Sequence, residues 1–309
     1  MYMSKAQVIY TLMDKFWKNV KKGDDKLHAT QTEPENIERV YDIPYIDDNN
    51  SYHLLDVYYP EGTKENLPVI IDIHGGGWMY ADKNLNRNYC LNLAKRGFTV
   101  FNVSYRLVPD VTVNEQLKDV ACALKWINDN MGNYPCDRQN IMLTGDSAGG
   151  MLAVYSALIL SSPVLRQLFD TVDTGMKLTT LLLTSPVSYM NESGIMGVYT
   201  KVMWGEDYRF KDTYNYMNVD DILDHGVLPP TFLLTSSGDF MALKQTRKLY
   251  SQLQERGITS KLMDFPKFEG KNLPHVFSVL EPESKPGVIA IDTAIRFYRK
   301  CIDAKVASE

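Results

Sequence analysis

The sequence predicts an α/β fold, a mostly parallel sheet covered on both faces by helices, and three observations carry that reading. Pro68-Val-Ile-Ile-Asp-Ile-His74 is a near-continuous apolar run, the pattern of a strand buried on both faces. From there to the C-terminus, strand-like and helix-like segments alternate. A chain of 309 residues is of the length that such a fold fills as one domain.

Taken in order, residues 1–38 stand apart from this alternation. Val8, Ile9, Leu12, Met13, Phe16, Trp17 and Val20 recur at helical spacing and predict a helix with one apolar face. Strand-like runs follow at 38–46 and 52–59, the second stopped by Pro60-Glu-Gly62. After the strand that ends in His74, helices are expected over 84–96, 113–131, 147–160, 242–256 and 288–301. Strands are expected over 98–103, 140–145, 178–184, 231–236 and 260–265. The stretch 186–230 breaks the rhythm. It is too long for an ordinary connection and is dense in aromatic and Met residues without strand alternation. It reads as a helical cap inserted between two late strands, with residues 1–38 as part of the same cap. A catalytic domain then spans 39–309 with the insertion at about 186–230. The plainer alternative is extra helices packed on the side of the sheet.

Composition narrows the function. Net charge is −5 and no basic stripe exists, so a nucleic-acid partner is not expected. The dense cluster Lys15–Lys26 also holds Asp24 and Asp25, follows Asp14, and reads as a solvated helix face. No apolar run approaches the roughly 18 residues of a membrane span, and the N-terminus lacks signal-peptide features. Cys90, Cys122, Cys136 and Cys301 are scattered and form no metal-binding or disulfide pattern; Cys90 and Cys122 read as small core residues. A cytoplasmic protein with no metal and no cofactor is expected. Oligomeric state is left open, a homo-oligomer included.

The chemistry lies in two glycine motifs. Gly145-Asp-Ser147-Ala-Gly149 matches G-x-S-x-G between a short apolar strand and a small-residue helix, the context in which that serine sits on a strained turn. The following helix points its N-terminus at the serine and favours developing negative charge. His74-Gly75-Gly76-Gly77 ends another strand, and a glycine run leaves backbone N–H groups uncovered for the oxyanion of acyl transfer. A serine nucleophile needs a base. Of five histidines, His74 belongs to the glycine motif, His28 to the N-terminal segment, His53 to the start of an early strand and His225 to the insertion or its exit. His275 remains, in a loop after the last strand, where open α/β sheets place their sites. The orienting acid is Asp239, just past the strand 231–236, by the Ser–Asp–His chain order of such elbows. Asp264 and Glu269, nearer to His275 in sequence, remain the fallback candidates.

With these pieces in place, the chain resembles the hormone-sensitive-lipase-like esterases, and the neighbouring small carbohydrate-side-chain and feruloyl esterases, of the α/β-hydrolase fold. The resemblance rests on Leu55-Asp-Val-Tyr-Tyr-Pro60, His74-Gly-Gly-Gly-Trp78 with Asp82-Lys83, Ser104-Tyr-Arg-Leu-Val-Pro109, Gly145-Asp-Ser-Ala-Gly-Gly150, Gly238-Asp239 and His275. It implies a serine carboxylesterase acting on a small-molecule ester. It assigns the oxyanion-hole amides to Gly76, Gly77 and Ala148, and gives His74, Tyr105 and Arg106 scaffold roles. The chain departs from the family where Val276 follows His275, since the family usually has Gly there, and the loop 268–274 is longer than usual. A peptidase or amidase of the same fold is the alternative enzyme. A ligand-binding relative is the alternative from another class, and the intact set of triad candidates argues against it. Met203 and Trp204 are expected to wall a pocket for short acyl chains, roughly eight carbons or fewer by usual pocket sizes.

Overall fold

A computed structural model describes residues 5–190 and 193–306. The side chains of Val8 and Ile9, invoked above, lie outside what it describes. Helix α1 (Lys5–His28) precedes strands β1 (Ile37–Pro44), β2 (Leu54–Pro60) and β3 (Leu67–Ile73). Then follow α2 (Arg87–Ala94), β4 (Thr99–Val103), α3 (Val113–Asn130), β5 (Cys136–Asp146), α4 (Ser147–Ser161) and α5 (Pro163–Leu168). The last third holds β6 (Thr180–Thr184), α6 (Gly194–Trp204), α7 (Val219–Ile222), β7 (Thr231–Ser236), α8 (Leu243–Glu255), β8 (Ser260–Phe265), α9 (Phe277–Leu280) and α10 (Lys285–Val306).

All eight strands form one sheet in the order β1-β2-β4-β3-β5-β6-β7-β8. The pairs β1–β2 and β2–β4 are antiparallel and the remaining five are parallel. The apolar run of β3 explains itself here. Val69, Ile71 and Ile73 alternate into the core beneath α3 and α4, while Ile70 faces the core beneath α2, α9 and α10. Helix α4 is buried from Ser147 to Ile159, because it sits at the centre of one face, so its small residues are a packing requirement. Helix α3 opens with a capping box, Glu115 accepting from the Thr112 amide at 2.7 Å.

The elements expected from sequence are present, with ends that shift by a few residues. The helix expected over 84–96 is shorter, Arg87–Ala94, since Asp82 and Asn84 turn the chain first: the Asp82 carboxylate accepts from the Asn84 amide at 2.7 Å. The helix expected over 288–301 is longer, Lys285–Val306. Cys90 is buried as expected, and Cys122 is half-buried, packed against the core from α3. The Lys15–Lys26 cluster is a solvated face, with ion pairs Lys18–Asp14 and Lys21–Asp25. Among the described residues no helix is long and apolar enough to cross a membrane.

Candidate active site

Five parallel pairings bring the C-terminal ends of β3, β5, β6, β7 and β8 to one end of the sheet. Ser147 sits at the junction of β5 and α4 with φ +51°, a left-handed conformation that a non-glycine residue holds only where its surroundings fix it. The packing is tight enough to do so. A Cβ on Gly149 would lie 2.0 Å from the Ile73 carbonyl oxygen, so the turn closes against β3 only with glycine at that position.

His275 Nε2 stands 2.9 Å from Ser147 Oγ. Its Nδ1 stands 3.0 Å from each Asp239 carboxylate oxygen. Asp239 is fully buried, and its Oδ1 also accepts from the amides of Met241 at 3.0 Å and Ala242 at 2.9 Å. Burial alone would raise the Asp239 carboxyl. Hydrogen bonding and charge from His275, with donors at Ser185 and Ala242, outweigh it and hold the group below the ordinary carboxylate range. The three residues singled out from sequence are thus one continuous chain of contacts.

The fallback acids lie elsewhere. Asp264 pairs with Arg247 at 2.5 Å, and Glu269 is exposed near Lys285. The other histidines are also accounted for. His53 lies between Asp48 and Asp119, and His225 packs edge-on against Tyr216. His28 ends α1.

The glycine loop is braced from below. The His74 ring stacks on Tyr105 at 4.3 Å, its Nδ1 lies 2.7 Å from the Gly75 carbonyl, and burial pushes it down to about 4, so it is neutral at pH 7. Tyr105 Oη donates to the His74 carbonyl at 2.7 Å. Arg106 turns away and grips Asp119. Among the described residues the amides of Gly76 and Gly77 meet no hydrogen-bond acceptor. Ala148 is the second residue of α4, where a helix leaves its amides without intrahelical partners.

Two things were not foreseen. Asp146, beside the nucleophile, is itself a brace: its Oδ1 accepts from the Gly75 amide at 3.0 Å and from Asn86 Nδ2 at 2.8 Å. The same Asn86 nitrogen donates to Asp72 at 2.8 Å, which makes a buried carboxylate pair beneath the glycine loop. The sequence signal for it was a carboxylate inside the apolar run of β3.

The second is the pocket wall. A cavity of about 450 Å³ opens above Ser147, lined by Leu12, Met13, Phe16 and Trp17 of α1, by Gly77 and Trp78, by Val187, Tyr189, Met190, Tyr199 and Thr200, and by Met241 and Gln245. Met203 and Trp204 are not among them. Both are buried in the core, and the expectation that they wall the pocket is corrected. One turn decides the matter, since α6 presents Tyr199 to the cavity and the residues at its C-terminal end to the sheet side.

Comparison with known proteins agrees with this geometry. A BD-FAE family model matches residues 55–180. Esterase B from Lactobacillus rhamnosis, in a crystal structure with a C4-C4 tributyrin phosphonate, superposes with a TM-score of 0.93 at 28% identity, over 99% of each chain. Versiconal hemiacetal acetate esterase from Dothistroma septosporum is 29% identical over 252 residues, 74% of this chain and 73% of that protein. Carboxylesterase NlhH from Mycobacterium tuberculosis is 31% identical over 102 residues, 33% of this chain and 32% of that protein. Sheet order, elbow and relatives together define an α/β-hydrolase. Within that fold the chain is a serine carboxylesterase.

Proposed function

We propose that this enzyme hydrolyses small neutral carboxylic esters through an acyl-enzyme on Ser147. The observation that carries the reading is the contact chain Ser147–His275–Asp239 at the floor of an apolar cavity of about 450 Å³. His275 takes the serine proton as Oγ attacks the ester carbonyl, then delivers it to the leaving alcohol. Asp239 fixes the imidazole tautomer and stabilises its cation. The amides of Gly76, Gly77 and Ala148 receive the oxyanion. Water, activated by His275, releases the acid and frees the serine.

The cavity supports the substrate class. Among the described residues its wall is mostly Leu, Met, Phe, Trp, Tyr and Val, with Thr200, Gln245 and Ser147 adding polar side chains. Among the described residues no charged side chain lines it, which favours an uncharged ester with short acyl arms. The relative crystallised with a tributyrin phosphonate supports the same class. The α1 segment and the part of 186–230 that includes Val187, Tyr189, Met190 and Tyr199 together act as the cap.

The test is a p-nitrophenyl ester series from acetate to palmitate, with wild type and Ser147→Ala, and labelling by a dialkyl phosphonate. Expected are a kcat/KM optimum at eight carbons or fewer, labelling of Ser147 alone, and loss of about 10⁶ in kcat in the variant. An optimum at long chains, or hydrolysis that survives in Ser147→Ala, would overturn the reading.

A further inference from the structure

Both segments of the cover converge on one residue of the glycine loop. Tyr199, on α6, donates its hydroxyl to the Gly77 carbonyl. Trp17, on α1, lies flat against Gly77: a Cβ there would be 2.0 Å from the Trp17 ring. The Trp17 indole also hydrogen-bonds the Tyr199 phenol, so the two segments are joined at this point. The neighbours of Gly77 are gripped the same way. Trp17 stacks on Tyr80 with ring centres 5.7 Å apart, and Tyr199 packs edge-on against Trp78 at 6.1 Å.

This loop needs holding. Gly77 has φ +57°, Trp78 φ +64° and Ala81 φ +77°, three left-handed residues within five positions. Such a path persists only when its surroundings fix it, at about 1–3 kcal/mol for each strained non-glycine residue. The brace from below, through Asp146 and Tyr105, reaches Gly75 and His74. Beyond Gly75, Gln116 and the Val108 amide hold the Trp78 carbonyl from below, while the Gly77 carbonyl accepts from Tyr199 of the cover. Tyr199 therefore fixes the Gly77–Trp78 peptide from the cover. The Gly77 N–H belongs to the preceding peptide, whose Gly76 carbonyl accepts from the Met79 and Tyr80 amides, and the two peptides meet at the Gly77 Cα, so a shift in one turns the other.

We propose that Tyr199 is a positioning residue for the oxyanion hole, with Trp17 as its partner, so that the cover aligns the Gly77 amide as well as enclosing the ester. The inference rests on the assignment of Gly77 as an oxyanion donor under the proposed function. It adds that the cover contributes to the chemical step. A substrate bulky enough to displace Trp17 then loses turnover as well as binding. An oxyanion donor must meet the oxygen of the tetrahedral intermediate within hydrogen-bond distance, so a small rotation at Gly77 that turns its amide weakens the transition state more than the ground state.

The experiment compares wild type, Tyr199→Phe and Trp17→Leu on p-nitrophenyl butyrate. Inhibition by an alkyl trifluoromethyl ketone, which adds Ser147 to form a tetrahedral oxyanion, is measured beside the matching methyl ketone, which binds as a planar carbonyl. Removal of one oxyanion donor costs about 10²–10³ in kcat, and misalignment of one is expected to cost roughly 10- to 100-fold. In Tyr199→Phe, kcat should fall by that factor with KM within about twofold. Affinity for the trifluoromethyl ketone should fall in parallel with kcat/KM, while the methyl ketone is unaffected. Trp17→Leu should show the same parallel loss, with a change in KM as well, because its ring also walls the pocket. Wild-type kcat in Tyr199→Phe, or equal losses for both ketones, would overturn the inference while leaving the esterase reading intact. Failure of wild type to react with the phosphonate would instead remove the esterase reading, and this inference with it.

Discussion

The floor and the cover of the pocket are built by different rules. Every floor residue stands at the end of a strand or in the loop beyond it: Ser147 after β5, Asp239 after β7, His275 after β8, and the glycine run after β3. Backbone pairing in a parallel sheet fixes where those ends lie, before any side chain is considered. The cover has no such frame. It joins α1 to Val187–Met190 and Tyr199–Thr200, far apart in sequence, and side-chain packing with scattered hydrogen bonds sets its position. A floor residue can therefore be placed by counting strands, while a cover residue cannot.

The largest expected effect sharpens the floor's side of that contrast. Asp239→Asn should lower kcat by about 10⁴, since His275 would lose the acceptor that selects its tautomer. Asp264→Asn and Glu269→Gln should change kcat by no more than a few-fold, because each is engaged in a solvent-facing ion pair. Steady-state kinetics on the three purified variants decides it. A crippling loss in Asp264→Asn would show that nearness in sequence, and not the end of a strand, selects the acid.

The next effect separates two tryptophans. Trp204 is 1% exposed within the main core, so Trp204→Ala should cost about 3–5 kcal/mol in urea unfolding. Its chain-length preference should match wild type. Trp17 walls the cavity from α1, whose other face is solvent, so Trp17→Ala should move the chain-length optimum and cost less stability. An altered ester profile in Trp204→Ala with unchanged stability would return that residue to the wall.

The same contrast explains what was legible in the sequence. The strand–helix alternation, the glycine motifs, and the acid and base by chain order all depend on local pattern and on the direction of a parallel sheet. Helical periodicity, by contrast, reports that a face is apolar without saying what it meets. Met203, Trp204 and Tyr199 lie within six residues on one helix, and only tertiary packing sends the first two into the core and the third to the cavity. Within the segment 186–230, Tyr199 lines the cavity while Tyr208, Met217 and Val219 pack into the core. Even the departure at Val276 has a geometric meaning. It is left-handed at φ +49°, a conformation glycine adopts freely, and its side chain is buried in return.

The smallest expected effect probes a cost that the floor carries and the cover does not. Asp72 and Asp146 are buried side by side and share the Asn86 amide. Burial, with the charge of Asp146 added, pushes the Asp72 carboxyl up to about 8, against the hydrogen bonds of Asn86 and Cys90. Burial pushes Asp146 up to about 6, against Asn86, the charge of His275 and the Gly75 amide. At pH 7 the pair therefore holds one proton, on Asp72, and one charge, on Asp146 (beside the Gly75 amide). The folded value of Asp72 lies above the ordinary aspartate value of about 3.9. Between those two values the folded state binds a proton that the unfolded chain has released. The resulting stability is complete below about pH 4 and is lost as pH rises through about 8. The neighbouring Tyr89 and Cys90 are pushed up by burial and stay uncharged across this window. Asp72→Asn keeps an oxygen for Asn86 and removes the titration. Thermal unfolding from pH 6 to 9 should therefore show wild type losing a few degrees more than the variant, on the order of 2–4 °C per kcal/mol for a chain of this size. Parallel curves would place the proton elsewhere and leave the brace under Gly75 carrying no pH-dependent cost.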